Sequence, residues 1–132
     1  AKYTLRLYDF ATASLLTTMV IGDANVWGGM CVNGRHVYLA FQGTGIPATN
    51  HVYVYDVSDG IATQLRRWVF TTLPSDLMHD GNSLWAIEGT NAVQYDQVGT
   101  AAPVAIRSIA LTGAAPVGIT TDGQHLLVSS RT

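Results

Sequence analysis

Cysteine, charge and long apolar runs are all scarce in this sequence of 132 residues. With one cysteine, Cys31, there is no internal disulfide to hold a small fold together. Its neighbours Met30 and Val32 are apolar, so a buried, inert thiol is expected there. Charged residues make up only 12% of the chain, against about 25% in ordinary soluble domains. A surface so poor in charge suggests that part of it is covered by a partner. The net charge is −2, and only Arg66 and Arg67 are adjacent among the seven cations. That leaves no basic stripe, so no nucleic acid partner is expected. No apolar run approaches the roughly 18 residues of a membrane span, and no signal peptide is visible. No Asn-x-Ser/Thr acceptor occurs, and the first residue is Ala1 rather than methionine, as in a processed chain or a piece of a longer one.

Nearly half of the sequence is nevertheless apolar. That excludes a disordered chain and supplies a core for one domain. The apolar residues recur in a pattern. Leu5-Arg6-Leu7-Tyr8-Asp9, Val52-Tyr53-Val54-Tyr55-Asp56 and Ala92-Val93-Gln94-Tyr95-Asp96 each alternate and end in Tyr-Asp. A turn marker follows each one: Asn33-Gly34, Asp80-Gly81 and Asp122-Gly123. Such dipeptides between apolar stretches signal hairpins, and type I′ turns are the expected form. The sequence therefore divides into three repeat units, about 3–50, 51–90 and 91–132.

The rest of each unit reads as strand. Leu15–Val20, Arg67–Thr71 and Ile106–Leu111 precede the hairpins at a distance. Trp27–Val32, Asp76–His79 and Val117–Thr120 lead into the turns. His36–Phe41, Leu84–Glu88 and His125–Ser129 leave them, and a Tyr-Asp strand follows as an edge strand. No helical period is sustained. Four short strands per unit of this length give an all-β fold of three four-stranded antiparallel propeller blades. Runs such as Val37–Phe41 and Leu126–Val128 do not alternate, as expected of strands packed on both faces. Gly28, Gly29 and Gly118 suit crowded backbone near a central axis.

The order Tyr-Asp, strand, then Pro-x-Gly-apolar-x-x-Asp-Gly resembles the YVTN/NHL-like β-propeller repeats. Pro116-Val117-Gly118-Ile119-Thr120-Thr121-Asp122-Gly123 carries the fullest match. Gly29–Gly34 keeps part of it, and Asp76 replaces the glycine of the second unit. The resemblance spans essentially the whole chain and implies architecture; its members include binding modules, scaffolds and a few enzymes.

Candidate site residues lie where the copies differ. Asp76 stands where the other units have Gly29 and Gly118, at the mouth of the expected channel or as a turn residue capping amides after Pro74-Ser75. The stretch Gly43, Thr44, Gly45, Ile46, Pro47, Ala48, Thr49 and Asn50 replaces the short Gly89-Thr90-Asn91 link of the second unit. Trp27 and Trp85 offer rings for stacking on a sugar, or for packing between blades. The four histidines stand at no zinc spacing, and no calcium loop is present, so neither metal nor cofactor is expected. Ser75, His79 and Asp80 share one strand and turn and cannot converge as a triad.

The function these features suggest is non-enzymatic: a binding or structural module of a larger assembly, with a carbohydrate- or receptor-binding surface as its sharper form. A cell-surface, secreted or virion component fits that reading. The alternative is a propeller lactonase or lyase acting at the channel. Three blades cannot close a ring of about 4–8. Tyr3–Asp9 lacks a preceding blade and Leu126–Ser129 lacks its own Tyr-Asp strand. Both ends are therefore expected to pair, with further copies of the chain or with the rest of a longer propeller.

Overall fold

The computed structural model describes residues 2–97, 102–113 and 115–131. Eleven strands form among them: β1 (Lys2–Tyr8), β2 (Leu15–Asn33), β3 (His36–Gly43), β4 (Asn50–Ser58), β5 (Ile61–Phe70), β6 (Asp76–His79), β7 (Leu84–Glu88), β8 (Asn91–Asp96), β9 (Val104–Ala110), β10 (Pro116–Thr121) and β11 (Leu126–Ser130). Every pairing is antiparallel. Among the described residues no helix is long and apolar enough to cross a membrane.

β2 is 19 residues long, roughly 60 Å if extended, too long for one small sheet. It serves two. Residues 15–23 pair with β1 and residues 24–33 pair with β3. Gly22, at φ 126°, and register shifts at Ala24/Val26 and Trp27/Gly29 bend the strand between them. The sheets are therefore a two-stranded one (β1 and residues 15–23), two of four strands (residues 24–33 with β3, β4, β5; then β6 to β9), and a two-stranded one (β10, β11).

The expectation of three four-stranded blades is corrected by this count of two, four, four and two. The distant strand preceding each hairpin belongs to the sheet before it. Of Arg67–Thr71, residues 67–70 fall in β5, beyond β4, and Leu15–Val20 pairs with β1. The Tyr-Asp strands β4 and β8 are consequently third in their sheets rather than edge strands. Their expected partners are correct: Val37 opposes Tyr55, and Leu84 opposes Tyr95. Among the described residues the sheets form no closed ring.

All three marked hairpins form, but not with type I′ turns. Gly34 alone has positive φ in the loop Gly34-Arg35, as in a turn led by glycine. Asp80 and Asp122 instead head four-residue loops, where their carboxylates accept the N–H groups of Ser83 and His125, both at 2.7 Å. The dipeptide with both φ values positive is Asp59-Gly60, joining β4 to β5.

Three apolar layers separate the four sheets. Tyr38, Val52, Val54, Trp68, Phe70, Leu77 and Leu84 fill the middle one. Val37, Leu39 and Tyr55, with Met19 and Ile21, form the layer toward β1. Met78, Trp85, Ile87 and Ile119, with Ile109 and Leu111, form the layer toward β10. Each fully buried aliphatic side chain contributes about 1.5–3 kcal/mol. β3 is buried on both faces as expected, whereas Leu127 on β11 is 48% exposed. No further sheet among the described residues lies on that side.

Candidate functional site

The strands alternate in direction, which sorts the loops onto two ends. The turns 34–35, 59–60, 80–83 and 122–125 lie at one end. The loop 44–49 and the link 71–75 lie at the other. Of the candidate site residues, Asp76, Trp27, Gly43, Thr44 and Asn50 belong to this second end. Trp85 lies toward the first.

Asp76 begins β6, the strand that packs beside residues 24–33 of β2 and beside β10. The crowding there is severe. A Cβ built on Gly28 would lie 2.2 Å from the Pro74 carbonyl oxygen, and one on Gly29 2.8 Å from the Asp76 Cα. Glycine lets the backbones of adjacent sheets touch, as the sequence suggested. The Asp76 carboxylate crosses to the next sheet, where its Oδ2 accepts the Ile119 N–H at 2.9 Å. It therefore joins the first strands of two sheets. Its charge and, before that, burial push the Cys31 thiol up to about 12. Asp76, Gly118, Thr120, Leu127 and Ser129 line an open groove of about 460 Å3.

The loop 44–49 is anchored at its base. The Gly43 N–H donates to the Thr49 carbonyl at 2.9 Å. Asn50 accepts from the Gln42 amide at 3.1 Å and donates to the Thr71 carbonyl at 3.0 Å. Thr44 is exposed, and Ile46 at the loop tip is fully so. Trp27 is 36% exposed and stacks on Tyr3 with ring centroids 5.5 Å apart.

Trp85 sits in a different setting. It is buried, its indole N–H donates to Asp80 Oδ2 at 2.9 Å, and the Arg107 guanidinium lies 5.0 Å from its ring centroid. Burial alone would raise the Asp80 carboxyl, but the Trp85 indole and the amides of Ser83 and Asn82 hold it below the usual carboxylate range. Asp80, Trp85, Arg107 and His125 help to line a cavity of about 310 Å3.

Sequence reasoning missed His51. It is buried beside Phe41 and Tyr53, its Nε2 lies 2.7 Å from Thr49 Oγ1, and its Nδ1 has no partner. Burial, with Arg67 adding to it, holds this imidazole below its ordinary value. Its position immediately after the Gly43–Asn50 insertion was the available signal. Among the described residues no three His, Cys, Asp or Glu side chains gather around one point that an ion would occupy.

No family model matches this sequence, and no curated protein matches it either.

Proposed function

We propose that the chain is a non-enzymatic binding or structural module of a larger assembly, built on the β-propeller plan that its YVTN/NHL-like repeats suggest. One observation carries this reading: both flanking sheets have two strands and turn apolar surface to solvent. Tyr8, Leu16 and Val20 are exposed on the β1 side, and Val117 and Leu127 on the β11 side. Exposed apolar faces next to unpaired strand edges mark surfaces that another element covers. Light scattering at micromolar concentration tests the reading. The expected result is a species larger than one chain with an intact β-sheet spectrum. A stable, fully folded monomer would overturn it.

The sharper form is a glycan or receptor surface at the end carrying Trp27, Asn50 and the loop 44–49. The partly exposed ring of Trp27, stacked on Tyr3, supports it, because aromatic faces pack on sugar rings. Glycan-array binding lost on Trp27→Ala and on shortening the loop is the expected outcome. Binding retained by both variants would remove that surface from the account. The lactonase or lyase alternative gains no support from Asp76, whose carboxylate is engaged by the Ile119 amide.

A further inference from the structure

The open edges of β11 and β1 differ from the outer edges of β5 and β9. β5 and β9 close their sheets as fourth strands. Each carries an arginine, Arg66 or Arg107, and each sheet shifts register beside them, at Val54/Tyr55 and Gln94/Tyr95. These are ordinary devices for ending a sheet. β11 is instead the second strand of its sheet, in the place of β3 and β7, which are both paired on two sides. β1 is a Tyr-Asp strand in the place of β4 and β8, and its outer side is likewise unpaired. Among the described residues the sheet of β10 and β11 has no third or fourth strand. The sheet of β1 and residues 15–23 consists of a third and a fourth strand.

The two complete sheets agree on how such halves join. Val37 opposes Tyr55 and Leu84 opposes Tyr95; Phe41 opposes His51 and Glu88 opposes Asn91. Carried onto the open edges, this register sets Leu126 opposite Tyr8 and Ser130 opposite Thr4. The same register brings Asp9 toward His125, as Asp56 stands 3.8 Å from His36. The facing surfaces agree as well. The Tyr-Asp tyrosine packs on the end of the fourth strand of the preceding sheet: Tyr95 lies on Phe70 with centroids 5.2 Å apart, and Tyr55 packs in one layer with Ile21. At the open flank the corresponding residue is Leu111. It lines a cavity of about 400 Å3 with Ile109, Leu126 and Val128. In this register Tyr8 falls over that cavity.

We infer that the partner covering each flank is a second copy of this chain, with β1 of each copy completing the β10–β11 sheet of the other. This rests on the module reading above. One copy supplies sheets of two, four, four and two strands. Two copies joined at both flanks therefore give six four-stranded sheets, within the range of about 4–8 that closes a propeller ring. The pairing is head-to-tail, and closure after two copies distinguishes it from a growing filament.

The test uses the full chain with Cys31→Ser, Thr4→Cys and Ser130→Cys. Mild oxidation is expected to give one covalent species of twice the chain mass. The pair Arg6→Cys with Ser130→Cys, two residues out of register, is expected to link at least tenfold less. Without cysteines, Tyr8→Asp is expected to weaken association at least tenfold while the β-sheet spectrum is kept. Larger-than-monomer species without the Thr4–Ser130 link would overturn this pairing and leave the module reading standing. A monomer by light scattering would overturn both. A ladder of higher multiples would overturn the closed pair, as would saturation of the flanks by a different protein.

Discussion

The layer between the two four-stranded sheets and the layer beside β10–β11 are built from the same repeat, yet they differ in what covers them. In the middle layer, β4 and β5 face β6, β7 and β8. Val52, Val54, Trp68 and Phe70 are buried against Leu77, Leu84 and Ala86. In the flanking layer β9 meets a sheet in which the described residues supply two strands, β10 and β11. Ile109 and Leu111, at the positions of Trp68 and Phe70, are only partly buried. Burial here is set by neighbouring sheets rather than by local sequence. Leu126-Leu127-Val128 is as apolar as Leu84-Trp85-Ala86, but only the latter lies between two packed faces.

The largest expected effect separates the two layers directly. Leu84→Ala empties a site that is 0% exposed and should cost about 2–5 kcal/mol. Leu127→Ala, on the open face, should cost the single chain less than about 1 kcal/mol. Urea unfolding of both variants, at a concentration where the chain is monomeric, checks the difference.

A second contrast concerns the strands that touch at the sheet junctions. Gly28→Ala drives a Cβ toward the Pro74 carbonyl oxygen, part of the backbone, and should destabilise by about 2–3 kcal/mol. Gly118→Ala meets the Ser129 hydroxyl at 2.6 Å instead. That side chain can rotate away, so a cost of about 1 kcal/mol or less is expected. Equal losses in thermal unfolding would contradict the claim that the β2–β6 junction is the tighter one.

Much of this arrangement was legible in the sequence. β6 and β7 match their sequence-derived bounds, Asp76–His79 and Leu84–Glu88. The partners of the Tyr-Asp strands were legible from the connections and the repeat order together. The phase of the sheets was not. Consecutive strands were grouped by their place in the repeat, whereas Asp59-Gly60 ties β5 back to β4 and makes it the fourth strand of that sheet. Reading that dipeptide as a hairpin marker alongside Asp80-Gly81 and Asp122-Gly123 would have supplied the phase. Among the site candidates, the identity of Asp76 as an odd residue among glycines was visible. Its bond to Ile119, 43 residues away, was not, because nothing local encodes which sheet lies beside it.

Titration gives a smaller effect, again at the middle layer. His79 stacks on Tyr38 with centroids 5.4 Å apart, and its Nδ1 accepts the Gly81 N–H at 3.0 Å. Burial, with His36 adding to it, lowers this imidazole below 6.5 despite the opposing charge of Asp80. The unfolded chain therefore binds the proton first, and stability falls as pH drops below about 6.5 toward the folded value. The slope from one such group is at most about 1.4 kcal/mol per pH unit. His79→Phe should flatten the unfolding midpoint between pH 6.5 and 5. His51, depressed in the same direction, supplies the residual slope. Glu88, raised by burial, acts in the opposite sense near the acid end of that range. An unchanged slope in the variant would remove His79 from the account.

The smallest effect is on reactivity alone. With its thiol pushed up to about 12 by burial and by Asp76, Cys31 should react with iodoacetamide at pH 8 at least tenfold more slowly in the native chain than in urea. Asp76→Asn should narrow that gap, since it removes the charge and leaves the burial.

Amide hydrogen exchange, followed strand by strand as a function of protein concentration, reports whether a second copy completes the flanking half-sheets. In the dilute single chain, β3, β4 and β7 should be strongly protected, and β1 and β11, each paired on one side only, should exchange much faster. Raising the concentration into the micromolar range should slow β1 and β11 together, to rates near those of β8 and β7, while the middle strands stay unchanged. If β1 and β11 exchange at the same rate at every concentration, or if only one of them slows, the flanking half-sheets are not completed by a second copy.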